Sequence, residues 1–172
     1  MKTYANLNDL NQSEEDKDMI FEYAKNPVGF LLLSGKNGTG KSYAAEAIYN
    51  AVSPFRLPAF DHEIAIFINQ ADLNIEWQQK KEDINYLVKK YKETKLFVLD
   101  DLGTRPPSEA FMDFIYAIID FRYRNNDKLG TVITTNLNGE TMRKKLGDAF
   151  SSRAASGIVK RWEHKDRRFK DF

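Results

Sequence analysis

The chain has 172 residues, a net charge of +1 with 30% charged residues, and no cysteine. That length suits one domain able to bury about 70% of its unfolded surface, and the lack of cysteine excludes disulfides and thiolate metal sites and fits a reducing cytoplasm. The near-neutral charge does not announce a nucleic-acid binder, no apolar run reaches the ~18 residues of a membrane span, and the N-terminus lacks the apolar core of a signal peptide.

Residues 1–12 are rich in Asn and short of apolar periodicity, and read as a loose lead-in. Ser13 followed by Glu14, Glu15 and Asp16 predicts a helix start, a cap and then acids on the positive end. Met19, Ile20 and Tyr23 continue it at helical spacing, and Asn26-Pro27 ends it. Gly29 to Ser34 reads as a buried strand. It feeds Ser34–Ser42, SGKNGTGKS, in which Gly35, Gly40, Lys41 and Ser42 fit the phosphate-loop pattern G-x-x-x-x-G-K-[ST]. Glycines let such a backbone curl until several N–H groups face one anion, and the following helix adds its N-terminal partial charge. The candidate nucleotide-binding residues are therefore Gly35, Lys36, Asn37, Gly38, Thr39, Gly40, Lys41 and Ser42. Lys41 would reach the terminal phosphates and the Ser42 hydroxyl would ligate Mg²⁺.

Ala44, Ala45, Ile48 and Val52 share a helical face beyond the loop. Residues 53–60 carry Pro54 and Pro58 and read as a loop, with Phe55 and Phe60 covering the core or facing the nucleotide base. Ile64–Ile68 makes a second strand. A Lys-rich segment follows, with Ile84, Leu87, Val88 and Tyr91 on one face of an amphipathic helix. Leu96–Leu99 is a third strand, apolar throughout, ending in Asp100-Asp101-Leu102-Gly103. Pro106, Pro107 and Ser108 make a turn and cap for a helix with Phe111, Phe114, Ile115, Ile118 and Ile119 inward. Gly130–Thr135 is a fourth strand, short helices follow at Thr141–Leu146 and Asp148–Ala155, and Ile158–Trp162 is a last strand before a basic tail. Strands alternating with helices predict a parallel α/β sandwich with right-handed crossovers.

Ligands of such sheets sit beyond the carboxyl ends of the strands. The phosphate loop, Asp100-Asp101 and Asn136 all stand at such ends, so they converge on one place. Asp100 is then a candidate to hold Mg²⁺, directly or through water, and Asp101 to orient or deprotonate an attacking water. Asn136 either donates to the γ-phosphate or water, or serves as a cap or turn residue.

The order of motifs resembles the DnaC/IstB-like AAA+ ATPases, bacterial and phage helicase loaders and transposition ATPases related to the DnaA initiator. The residues that carry it are the phosphate loop, Leu99-Asp100-Asp101-Leu102-Gly103, Ser108-Glu109, Arg122-Tyr123, Thr134-Thr135-Asn136-Leu137 and Ser152-Arg153, spread over residues 19–163. The resemblance implies a five-stranded parallel sheet of order 5-1-4-3-2 in a single AAA+ domain over 1–172. It makes Lys41, Asp101 and Asn136 catalytic, Asp100 and Ser42 metal-binding, and Arg153 an arginine finger facing outward toward a neighbouring subunit's ATP. Two departures stand out. The chain starts almost at the ATPase core, without the N-terminal domain usual in the family, so helicase docking is not carried over. Ala149 stands where the family tends to place an arginine four residues before the finger.

The implied partners are a replicative helicase or a transposition protein, further copies of the chain in an ATP-dependent homo-oligomer, and single-stranded DNA. Two segments carry aromatics among lysines, the ingredients of a single-strand site. They are residues 77–92, with Trp77, Lys80, Lys81, Tyr86, Lys89, Lys90, Tyr91 and Lys92, and the tail, with Lys160, Arg161, Trp162, Lys165, Arg167, Arg168, Phe169 and Lys170. A solvated helix face and a frayed terminus are their ordinary alternatives. A small phosphate-loop kinase and a nucleotide-dependent binding module that does not turn ATP over are the rival functions; against the kinase, the sequence shows no Arg-rich lid segment.

Overall fold

The computed structural model describes residues 5–53 and 64–163. The Pro54–Pro58 loop with Phe55 and Phe60, and the basic tail over 164–172, lie outside the described residues. Five parallel strands, β1 (Gly29–Gly35), β2 (Ala65–Asn69), β3 (Leu96–Leu102), β4 (Gly130–Thr135) and β5 (Ile158–Trp162), form one sheet in the order β2-β3-β4-β1-β5. This is the expected order read from its other edge. The helices are α1 (Glu14–Lys25), α2 (Lys41–Val52), α3 (Gln70–Gln79), α4 (Ile84–Glu93), α5 (Glu109–Arg124), α6 (Gly139–Leu146) and α7 (Asp148–Ala154).

Period-two alternation along the strands divides the apolar residues between two cores. Phe30 and Leu32 of β1 join Phe97 and Leu99 of β3 in a cluster with Leu87 and Tyr91 of α4, Ile115 of α5 and Phe150 of α7. Leu31 and Leu33 go the other way, with Val98, Val132, Ala44 and Ile48 of α2 and Ile20 of α1. The helix starts follow local chemistry: the Ser13 and Ser108 hydroxyls accept from the Asp16 and Phe111 N–H groups at 3.2 and 3.3 Å.

Two expectations about local structure are corrected. Residues 5–12 are not loose: Ala5, Leu10 and Gln12 are buried, a 3-10 turn forms at Leu7–Asp9, and Asn50 of α2 donates to the Ala5 carbonyl at 2.8 Å. The apolar contacts are too irregularly spaced to show a period. Helix α3 has no counterpart among the expected elements, because only Leu73 and Trp77 of its ten residues pack against the core. Its N-cap, Asn69, accepts from the Asp72 N–H at 2.9 Å.

Arg122 of α5 is fully buried, and no carboxylate among the described residues forms a salt bridge with it. Its guanidinium instead donates to backbone carbonyls, of Tyr91 at 3.0 Å, Lys92 at 3.1 Å, Thr94 at 2.8 Å and Gly130, and to the Thr131 hydroxyl at 2.8 Å. It ties the end of α4 to the starts of β3 and β4. Burial pulls its pKa down to about 9, so the group is charged at neutral pH.

Candidate functional site

Residues 36–40 bridge β1 and α2, and the glycines within and just before this loop take conformations that glycine alone adopts freely. Gly35, Gly38 and Gly40 have φ of 135°, 74° and 94°. Gly35 is constrained twice, since a Cβ there would stand 1.9 Å from the Trp162 carbonyl oxygen of β5. Gly35→Ala should therefore push β5 away from β1, cost about 1–3 kcal/mol of stability and weaken nucleotide binding. Thermal melting and titration with a fluorescent ATP analogue read both effects.

Lys41 is buried at the first turn of α2, its ammonium donating to the Gly35 and Lys36 carbonyls at 3.0 and 2.7 Å. Thr39 braces the loop by donating to the Lys36 carbonyl at 3.0 Å, and Gln12 of the lead-in donates to the Thr39 carbonyl at 3.2 Å. The loop thus opens onto a cleft of about 500 Å³ lined by Asn37, Gly38, Gly40, Lys41 and Ser42 on one side and by Asp100, Asp101 and Asn136 on the other. The structure brings these expected site residues together, and Asn136 Nδ2 reaches Asn37 Oδ1 at 3.5 Å. Gly35, Lys36 and Thr39 stand behind the lining, where they hold Lys41 and the loop.

Three further residues line the cleft without having been singled out: Tyr43, Asn69 and Thr104. Asn69 is the last residue of β2, so the strand-end reasoning that points to Asp100 and Asn136 applies to it equally. Tyr43 and Thr104 carry no such signal, because each reaches the cleft through the local path of its loop or helix.

Arg153 does not line its own chain's cleft, nor does it extend into solvent. Its Nε donates to Asp120 Oδ1 of α5 at 2.7 Å, and its side chain is only 25% exposed. The guanidinium also lies 4.9 Å from the centre of the Tyr116 ring and 5.6 Å from that of Tyr123. The expectation that Arg153 faces outward is therefore modified: the residue is held against α5.

The 77–92 segment is less suited to single strands than its composition implies. Trp77 packs on Phe111 and Phe114, with ring centres 5.5 and 6.3 Å apart. Tyr91 is buried and donates to Glu76, which also pairs with Lys90 at 3.2 Å and Lys80 at 3.4 Å. Burial pushes the Glu76 pKa up, but these bonds outweigh it and hold the carboxyl below the usual glutamate range. Of the aromatics in that segment, Tyr86 remains exposed.

For a divalent ion, the Ser42 hydroxyl and the Asp100 carboxylate share the cleft, and both are hard oxygen donors. Among the described residues no group of three or more His, Cys, Asp or Glu could hold a metal. That sparse set fits Mg²⁺, which takes few protein ligands and completes its shell with water and phosphate oxygens. No helix among the described residues is long and apolar enough to cross a membrane.

A phosphate loop on a β2-β3-β4-β1-β5 parallel sheet, with acids at the end of β3 and a polar residue after β4, is the AAA+ form of the phosphate-loop fold. The chain belongs to the IstB-like ATP binding protein family, whose model matches residues 15–168. A putative ATP-binding protein of insertion sequence IS232 from Bacillus thuringiensis subsp. berliner is 26% identical over 136 residues, 78% of this chain and 50% of that protein. The replicative helicase loader DnaC of Escherichia coli (strain K12) is 25% identical over 162 residues, 90% of this chain and 62% of that protein. Among solved structures, the replication initiator DnaA bound to AMPPCP and single-stranded DNA has a TM-score of 0.79 at 18% identity, covering 94% of this chain and 50% of that one. The chain thus spans 50% and 62% of the length of these two curated relatives, and the resemblance read from its motifs is borne out at the level of family and fold.

Proposed function

We propose that the chain binds Mg·ATP and hydrolyses it at an interface between subunits of a homo-oligomer, in the cytoplasm, to load a replicative helicase onto single-stranded DNA. The observation that carries the hydrolytic part is the single cleft in which Asp100, Asp101 and Asn136 face Lys41 and Ser42. Lys41 neutralises the terminal phosphates, Asp101 takes or orients the proton of the attacking water, and Asn136 hydrogen-bonds the γ-phosphate or that water. Mg²⁺ held by Ser42 and Asp100 would supply charge neutralisation at the phosphates. The DNA-processing part is supported by the family and by the helicase loader and initiator among the similar proteins.

Phosphate release should fall by about 10²–10³-fold in Lys41→Ala, as for other losses of a charge-stabilising donor, and Asp101→Asn should bind ATP but not turn it over. Wild-type rates in either variant would sink the hydrolytic assignment. A role in transposition is the second reading, favoured by the IS232 relative. A pull-down with Asp101→Asn in ATP separates the two readings, since the trapped assembly should hold either a helicase or a transposase. Single-strand binding whose affinity did not fall between low and moderate salt would remove the proposed phosphate contacts.

A further inference from the structure

Strands β3 and β4 pair in step from Leu96 with Gly130 to Leu99 with Ile133, and again at Leu102 with Thr135. Between those points two residues of β3, Asp100 and Asp101, stand against one of β4, Thr134. This is a bulge, and Asp101 adopts the left-handed region with φ 56°. In a regular strand consecutive side chains leave opposite faces. The bulge cancels that alternation, and both acids line the same cleft.

The Thr104 hydroxyl donates to the Asp101 carbonyl at 3.1 Å, but the side chain that joins both acids of the bulge is Thr134. The buried Thr134 hydroxyl accepts from the Asp101 N–H at 2.9 Å and donates to Asp100 Oδ1 at 2.6 Å. Its one proton is thus spent on the carboxylate, and a lone pair on the irregular backbone. The neighbouring Thr135 hydroxyl does something different, donating to the Leu102 carbonyl at 2.7 Å and accepting from the Leu137 N–H at 3.1 Å. It fastens the same two strands without touching a carboxylate.

We propose that Thr134 is a positioning residue for the Mg·ATP site: its hydroxyl fixes the orientation of the Asp100 carboxylate toward the metal and anchors the backbone of Asp101 beside it. The inference rests on the Mg·ATP reading given above. A hydrogen bond to Oδ1 selects one carboxylate rotamer and leaves Oδ2 as the oxygen for the cation. Without it the carboxylate must be ordered at the moment the metal binds.

The test measures the Mg²⁺ concentration needed for half-maximal binding of a fluorescent ATP analogue, beside the analogue's affinity in EDTA. Thr134→Val keeps the shape and removes the hydroxyl. It should raise the Mg²⁺ requirement by about 10–100-fold, the usual range for removing an outer-shell partner of a metal ligand, with metal-free affinity unchanged. Thr134→Ser should restore the wild-type requirement, and Thr135→Val should lower the melting temperature without moving it. Should the valine variant not fold, Thr134→Cys, a weaker donor of similar size, takes its place with the same expected direction. A wild-type Mg²⁺ requirement in Thr134→Val or Thr134→Cys overturns the proposal, as does a Ser variant no better than Val or an equal shift in Thr135→Val. Wild-type protein whose nucleotide binding ignores Mg²⁺ would instead overturn the reading beneath it, and the proposal with it.

Discussion

Arg122→Met should destabilise the protein by on the order of 3–5 kcal/mol, the cost of stranding buried polar groups. Methionine is similar in length but donates nothing, so the Tyr91, Lys92, Thr94 and Gly130 carbonyls and the Thr131 hydroxyl would lose their shared donor inside the core. The denaturant midpoint should fall with little change in slope, and melting should drop by roughly 6–20 °C for a chain of this size. Arg122→Lys should lie between, because an ammonium keeps the charge but cannot span so many acceptors. A methionine variant within 1 kcal/mol of wild type, on the order of an ordinary surface change, would show that these carbonyls find other donors.

Arg153→Ala should lower ATP turnover of the assembled protein by about 10³–10⁵-fold, the range for an arginine finger. The structure gives this prediction an internal check. Because Arg153 pairs with Asp120 and lies against Tyr116 and Tyr123, its loss could also act by loosening α7 from α5. Asp120→Asn breaks the ion pair and keeps the guanidinium, so a loosening effect would appear there as well, whereas loss of a finger would not. Mixing offers a second separation. Chains carrying Lys41→Ala retain Arg153, and chains carrying Arg153→Ala retain an intact phosphate loop, so co-assembly should recover part of the activity. Turnover by Arg153→Ala at the wild-type rate, under conditions where the wild type assembles, would remove the finger.

Most of the sheet was legible because buried parallel strands announce themselves. Gly29–Gly35 and Gly130–Thr135 are short, largely buried runs bounded by turn residues, the mostly exposed Ile158–Trp162 shows instead by its alternation, and the caps Ser13 and Ser108 are followed by acids in the first turn. The cleft followed from one geometric rule, that ligands sit at strand ends. What did not show is whatever depends on two distant segments meeting. Helix α3 contributes few core residues, so its period is faint. The lead-in earns its burial from contacts with α2, which nothing within residues 5–12 discloses. Trp77 looked available by composition and Arg153 by the family resemblance, yet Phe111, Phe114 and Asp120, on a helix remote in sequence, occupy them.

The bulge in β3 also bears on which sequence changes the chain can tolerate. Substitutions at Leu96–Leu99 act through packing and can be absorbed by neighbours of similar volume. A one-residue deletion at Asp100–Asp101 is a different kind of lesion, since it restores a regular strand and leaves a single acid at the cleft. Length variation should therefore be confined to the connections between elements, while the count of residues from Leu99 to Leu102 stays fixed. For this stretch of chain, spacing is as much a chemical requirement as side-chain identity.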